Sequence, residues 1–203
     1  MSNRPTFYFK ENPVRAGGII FYQKHFDDIS YLLIKCDNQK RYEDFGGRTD
    51  EVDNDYFDTV ARELEEESNG VFKQNKIKDQ IINQEPLYNP SGKYVVFFLE
   101  LTDYINPTIF GNKEYHDNIS RTVHWVSHKK ITNKNSKNLT FRLLFKPFFK
   151  KLKSIAKDII CEESESSDES SDKRYNKSSN KSTYKNKSFY KKKESIEDIF
   201  MFR

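Results

Sequence analysis

"GGRTDEVDNDYFDTVARELEEESNG", residues 46–70, decides how the rest of the chain is read. Phe57, Val60, Ala61 and Leu64 recur at i, i+3, i+4 and i+7, the spacing of one buried helical stripe. Asp53, Asn54 and Asp55 each carry the short polar side chain that caps a helix N-terminus. The Gly46–Gly47 pair stands before them, where a non-helical backbone is least costly. At the other end Glu63, Glu65, Glu66 and Glu67 crowd the last turns. Anions there oppose the helix dipole by about 0.3–1 kcal/mol, and like charges at i, i+3 and i+4 repel by roughly a few tenths more. Local stability does not account for them.

Outward from this helix the chain alternates between strand-like and irregular runs. "AGGIIFY" (16–22) and "SYLLIKC" (30–36) are β-branched and aromatic runs joined by the polar "QKHFDDI", as in a hairpin or two neighbouring strands. After the helix, "NQEPLYNPSG" reads as a turn-rich loop and "KYVVFFLEL" as a strongly apolar strand. "INPTIFGNKEYHDN" reads as an irregular stretch and "RTVHWVS" as a further strand. "NLTFRLLFKPFFKKLKSIAKDII" has helical spacing through Leu143, Leu144, Phe148, Leu152, Ile155 and Ile159, with Pro147 placed to kink or split it. A sheet with one helix between its strands, flanked by a second, is the expected architecture.

Composition bounds the rest. A chain of 203 residues has room for one ordinary domain and something extra, with a core that needs no disulfides. Cys36 and Cys161 are too few for a disulfide framework and lack metal-ligand spacing, which fits a reducing compartment. "MSNRPTFYFK" has no apolar run of the signal-peptide kind, and no window approaches the roughly 20 apolar residues of a membrane span. The expectation is a soluble cytoplasmic protein without membrane attachment. The mean hydropathy of −0.91 reflects uneven polarity. From Glu162 onward an acidic serine run gives way to a lysine, serine and tyrosine run with too little apolar surface to offset its ordering entropy. Residues 1–160 are therefore expected to form the domain and 161–203 a disordered tail, acidic and then basic.

Glu63, Glu66 and Glu67 sit at i, i+3 and i+4, so their carboxylates project from one face, beside the apolar stripe. A solvated acidic face, partly neutralised by Arg62 pairing with Glu66, is one reading. A divalent cation is the other: Mg2+ takes hard oxygen ligands and keeps waters exchangeable for phosphate oxygens. The glycine pair favours the second, because it lets a loop close tightly against the carboxylates and a ligand. The histidines at 25, 116, 124 and 128 show neither metal nor triad spacing, and ordinary polar roles are expected of them.

Residues 47–70 resemble the Nudix box, in which a glycine and an acid precede R-E-U-x-E-E-x-G-U, U being a bulky aliphatic. Gly47, Arg62, Glu63, Leu64, Glu66 and Glu67 match in order. The chain departs from the pattern in three ways: the first acid is Asp53, one extra residue separates it from Arg62, and Asn69 takes the final glycine position with Gly70 next. With the flanking strands, the resemblance spans roughly residues 14–158. It implies an α/β fold, a Nudix-type α/β/α sandwich around a mixed sheet. The implied activity is hydrolysis of a pyrophosphate bond in a nucleoside diphosphate linked to another group.

In that family's mechanism Glu63, Glu66 and Glu67 would hold Mg2+ or Mn2+, and Glu63 and Glu66 would share the catalytic handling of the attacking water. Arg62 would orient them, and Asp53 would be a further ligand or a helix cap. A later acidic residue often serves as base, for which Glu100, Glu114 and Asp117 are candidates. The "DFGG" and "RELEEESNG" forms are also similar to Nudix proteins of large DNA viruses, among which are mRNA-decapping enzymes and inositol-pyrophosphate hydrolases. A nucleotide or capped RNA is the first substrate expectation, with RNA contact through the lysine- and tyrosine-bearing tail. An inositol pyrophosphate or nucleotide sugar is the alternative, and a non-catalytic RNA-binding module the third reading.

Overall fold

The computed structural model describes residues 4–25, 28–36 and 42–132, together with the helical positions Lys150, Lys151 and Ser154. The expected helix over 138–160, Cys161 and the acidic-then-basic tail otherwise lie outside the described residues.

The apolar runs form the sheet they predict. β3 (Ala16–His25) and β4 (Asp28–Cys36) pair antiparallel, so both extend into the polar segment that separates the runs. β8 (Tyr94–Glu100) lies parallel to β3, with Ala16 opposite Tyr94, and β10 (Ile119–Ser127) antiparallel to β4. The short β7 (Leu87–Asn89) and β9 (Lys113–Glu114) complete the row β7-β8-β3-β4-β10-β9. β3 and β4 stay paired only as far as Phe21 and Leu32. Beyond that β3 continues against β6 (Phe45–Arg48), and β4 against β5 (Tyr42–Glu43). The sheet thus divides at one end.

Both faces are covered, as expected for a mixed sheet in a sandwich. α1 (Tyr56–Glu67) lays Val60, Ala61 and Leu64 on Ile19, Phe21, Leu32, Ile34, Val95 and Phe97, with Phe57 packing at the margin. Ile77 and Ile81 of α2 (Gln74–Ile81) join this cluster. The opposite face carries Ile20, Tyr31, Leu33, Val96 and Val126, covered by Ile131 of α3 (His128–Thr132). No helix among the described residues is long and apolar enough to cross a membrane.

Three elements differ from the sequence expectation. α2 adds a second helix between the strands: Ile77 and Ile81 are its only apolar residues, and no side chain of its own caps it. Glu65 supplies the cap from α1, accepting the Gln74 N–H at 2.7 Å. "NQEPLYNPSG" contains β7, and a hairpin of β1 (Phe7–Phe9) and β2 (Asn12–Val14) precedes the first expected strand. Pro13 and strands of three residues leave little alternation to read there.

Candidate active site

The site grows from the division in the sheet. There the first turn of α1 is capped by Asp55, whose side chain accepts the Asp58 N–H at 2.7 Å. Of the three residues expected to compete for the cap, Asp55 takes it. Asp53 instead faces Arg62: Nε donates to Oδ1 at 2.8 Å and Nη2 to Oδ2 at 3.1 Å. Asp53 also accepts from the Thr59 hydroxyl and the Asp50 N–H, both at 2.8 Å. Burial alone would push its carboxyl up, but these donors outweigh it and hold it below the usual carboxylate range. The cap thus falls to Asp55, and Asp53 is the counter-ion of Arg62.

Arg62 is a hub. Its Nη1 donates to Glu63 and to Glu66, each at 3.0 Å, and Nη2 to the Arg48 carbonyl at 2.8 Å, so every N–H of the guanidinium is engaged. Burial works against its charge, yet hydrogen bonding to Asp53 and the charges of Glu63, Asp53 and Glu66 raise its pKa above the ordinary arginine value. Two of the three helix glutamates are thereby pinned against β6.

The glycine pair explains how β6 comes so close. Gly46 and Gly47 stand opposite Gly18 and Gly17 in the ladder. A methyl group on Gly47 would overlap the Glu63 carboxylate, and one on Gly46 would meet the Tyr94 hydroxyl on the other face. Tyr94 uses that space to donate to Asp44 at 2.6 Å. The Gly46 N–H donates to Glu67. Burial raises the Glu63 carboxyl above the ordinary value, with Arg62 as the opposing influence. Glu65 is not part of this face, since it caps α2.

Glu63, Glu66 and Glu67 are hard oxygen donors on one rigid face, the kind of set that suits Mg2+ or Mn2+. One oxygen each of Glu63 and Glu66 accepts from Arg62 Nη1, and one of Glu67 accepts from the Gly46 N–H. Among the described residues, the three-residue group whose ligand atoms all lie within 4.8 Å of one another is Glu114, His116 and Asp117. Of the later acids, Glu100 ends β8 opposite Tyr22, beside Lys24 at 3.5 Å. Asp117 is exposed and contacts His116 at 3.2 Å. Glu114 is buried, and like Glu67 it favours the charged form of Arg121 and the neutral thiol of Cys36. His124 lies edge-on to Tyr42, and His128 Nδ1 is 3.0 Å from the Tyr31 hydroxyl, both ordinary polar roles.

Sequence reasoning missed Arg121. It lies on β10 opposite Cys36, with 1% of its surface exposed, and none of its side-chain nitrogens has a hydrogen-bond partner among the described residues. Its parity was readable: Arg121, Val123 and Trp125 alternate onto the α1 face, so the arginine had to point inward. Burial lowers its pKa, while Glu67 and Glu114 oppose that shift.

No family model and no curated protein matches the chain. Among solved structures it is similar to an Ap4A hydrolase binary complex from C. elegans, at 18% identity over 73% of this chain and 98% of that one, with a TM-score of 0.42. It is also similar to a C. elegans Ap4A hydrolase structure, at 23% identity over 54% and 79% of the two chains, with a TM-score of 0.31.

Proposed function

We propose that this chain is a Nudix pyrophosphohydrolase that cleaves a diphosphate bond in a nucleoside diphosphate derivative with the help of a divalent cation. The observation that carries the reading is the fit of β6 to the glutamate face: Gly47 leaves room for the Glu63 carboxylate, and the Gly46 N–H meets Glu67. A merely solvated acidic helix has no use for a backbone moulded to it. Glu63, Glu66 and Glu67 would hold Mg2+ or Mn2+. The cation, when bound, neutralises phosphate oxygens and lowers the pKa of water.

The chain's own residues do the rest. Arg62 keeps Glu63 and Glu66 aligned, and β6 keeps bulk away from the carboxylates. Glu63 and Glu66 act on the attacking water, and burial raises the proton affinity of the Glu63 carboxylate. Capped RNA or a smaller nucleotide is the proposed substrate class, with the basic part of the tail as the RNA contact.

The test is release of labelled product from capped RNA, nucleoside triphosphates, dinucleoside polyphosphates, nucleotide sugars and inositol pyrophosphates, each with Mg2+ and with Mn2+. Wild type is compared with Glu67→Gln. Cation-dependent cleavage of one class, falling by about 100-fold or more in the variant, is the expected result. Unchanged turnover in Glu67→Gln would remove that residue from the ligand set. Absence of cleavage across the panel would overturn the hydrolase reading.

A further inference from the structure

The box of this chain ends on Asn69 where the family pattern has glycine, and the side chain gained there is fully used. Asn69 is left-handed, with φ of 54°, a conformation glycine and asparagine both accept at a helix end. Its Nδ2 donates to the carbonyls of Phe110 and Lys113, each at 2.8 Å, and its Oδ1 accepts the Tyr115 N–H at 3.1 Å. Two of these contacts flank Glu114 on either side. A glycine would satisfy the backbone angle and make none of them.

The loop they hold is anchored from below as well. Phe110 packs on Phe72 and Phe45, with ring centroids 5.9 and 5.8 Å apart, and the Asn112 carbonyl accepts the Arg121 N–H at 3.0 Å. Glu114 itself is buried, with 6% of its surface exposed. Arg121, whose guanidinium lacks hydrogen-bond partners among the described residues, carries charge toward Glu114 and Glu67 alike. A buried cation attracts the acids around it, whichever element they come from. Asn69 thus ties the loop of Glu114 to the end of the helix that carries Glu67, and both acids bear on Arg121.

We propose that Asn69 is a positioning residue: it fixes the Glu114 loop to the C-terminal end of α1, so that Glu114 works with Glu63, Glu66 and Glu67 as one carboxylate set for a divalent cation. This rests on the proposed hydrolase site and extends it to a position where this chain departs from the family pattern.

The test is a double-mutant cycle on the full chain with Asn69→Gly, Glu114→Gln and both together, read by Mn2+ titration calorimetry and by steady-state turnover. Asn69→Gly suits the backbone angle, so its melting temperature stays within a few degrees of wild type, and amide exchange at Tyr115 accelerates. Mn2+ affinity falls by about 10-fold, in the range of a lost supporting contact. Turnover falls through kcat with KM little changed. In the Glu114→Gln background, Asn69→Gly adds nothing further, because both changes remove the same carboxylate from the set. Independent effects that multiply, or an Asn69→Gly variant that binds Mn2+ as wild type does, would overturn the proposal. If wild type binds Mn2+ but cleaves no pyrophosphate, the hydrolase reading falls and the binding cycle alone still decides the role of Asn69.

Discussion

Two arginines, one half-buried and one fully buried, bear on the acids of the site and are treated in opposite ways. Arg62, on the helix, meets acceptors with every N–H and fixes Asp53, Glu63, Glu66 and the backbone of Arg48. Arg121, on the sheet, is more deeply buried, and its guanidinium has no hydrogen bond among the described residues. The first is a brace, whose geometry is complete. The second contributes charge without geometry, which is unfavourable for folding and useful only to groups nearby that must stay ionised. The contrast separates what holds the site up from what tunes it.

The largest effect is expected from Arg62→Ala. It strands Asp53, whose side chain is 1% exposed, as an uncompensated buried charge, and should lower stability by about 3–5 kcal/mol in urea unfolding. Arg62→Lys should recover only part, since an ammonium cannot reproduce the bidentate contact. A loss under about 1 kcal/mol for Arg62→Ala would mean that the brace is not one.

Replacing Arg121 and Glu114 together, by Met and Gln, should act in the other direction on the fold. Removing the cation with its buried acid avoids stranding Glu114, Glu67 retains the Gly46 N–H, and stability should rise by about 1–2 kcal/mol while Mn2+ affinity falls. A clear loss of stability would erase the contrast between the two arginines.

Gly47→Ala sharpens the comparison on the helix side. The added methyl displaces the Glu63 carboxylate without forcing a strained backbone, so turnover should fall by about 10-fold, equivalent to about 1.4 kcal/mol of barrier. The fold should persist by circular dichroism.

The smallest effect concerns Asp58, which binds Lys78 and Asn54 and so ties α1 to α2 away from the glutamates. Burial would raise its pKa, but Lys78 and Asn54 more than offset this and lower it. A depressed carboxyl stabilises the fold above its unfolded pKa, and that contribution disappears as pH falls through the folded value. Asp58→Asn should therefore cost about 1 kcal/mol at pH 7, and the difference should close below roughly pH 4. A gap that persists in acid would assign the loss to packing.

What the sequence disclosed follows from which signals are local. The stripe of Phe57, Val60, Ala61 and Leu64 and the runs behind β3, β4, β8 and β10 carry their own period, and the structure has them where the pattern puts them. α2 was hidden because its cap comes from Glu65 on another helix. The cap was left open among Asp53, Asn54 and Asp55 because all three offer the same chemistry, and only the fold decides which side chain turns toward Arg62. Arg121 could have been found from strand parity. The clamp of Asn69 could not, since it depends on residues more than forty positions away.

The facing glycines of β3 and β6 bear on the order in which the molecule assembles. Gly17 against Gly47 and Gly18 against Gly46 give this part of the ladder no side chains to mesh, so its register is not written in the two strands themselves. It is imposed from outside, by Val60 and Glu63 of α1 pressing on one surface and Tyr94 with Asp44 closing the other. The pairing of β6 should thus be among the last contacts to form in folding, its substitutions chiefly accelerating unfolding, with the carboxylate face completed only once helix and sheet have met.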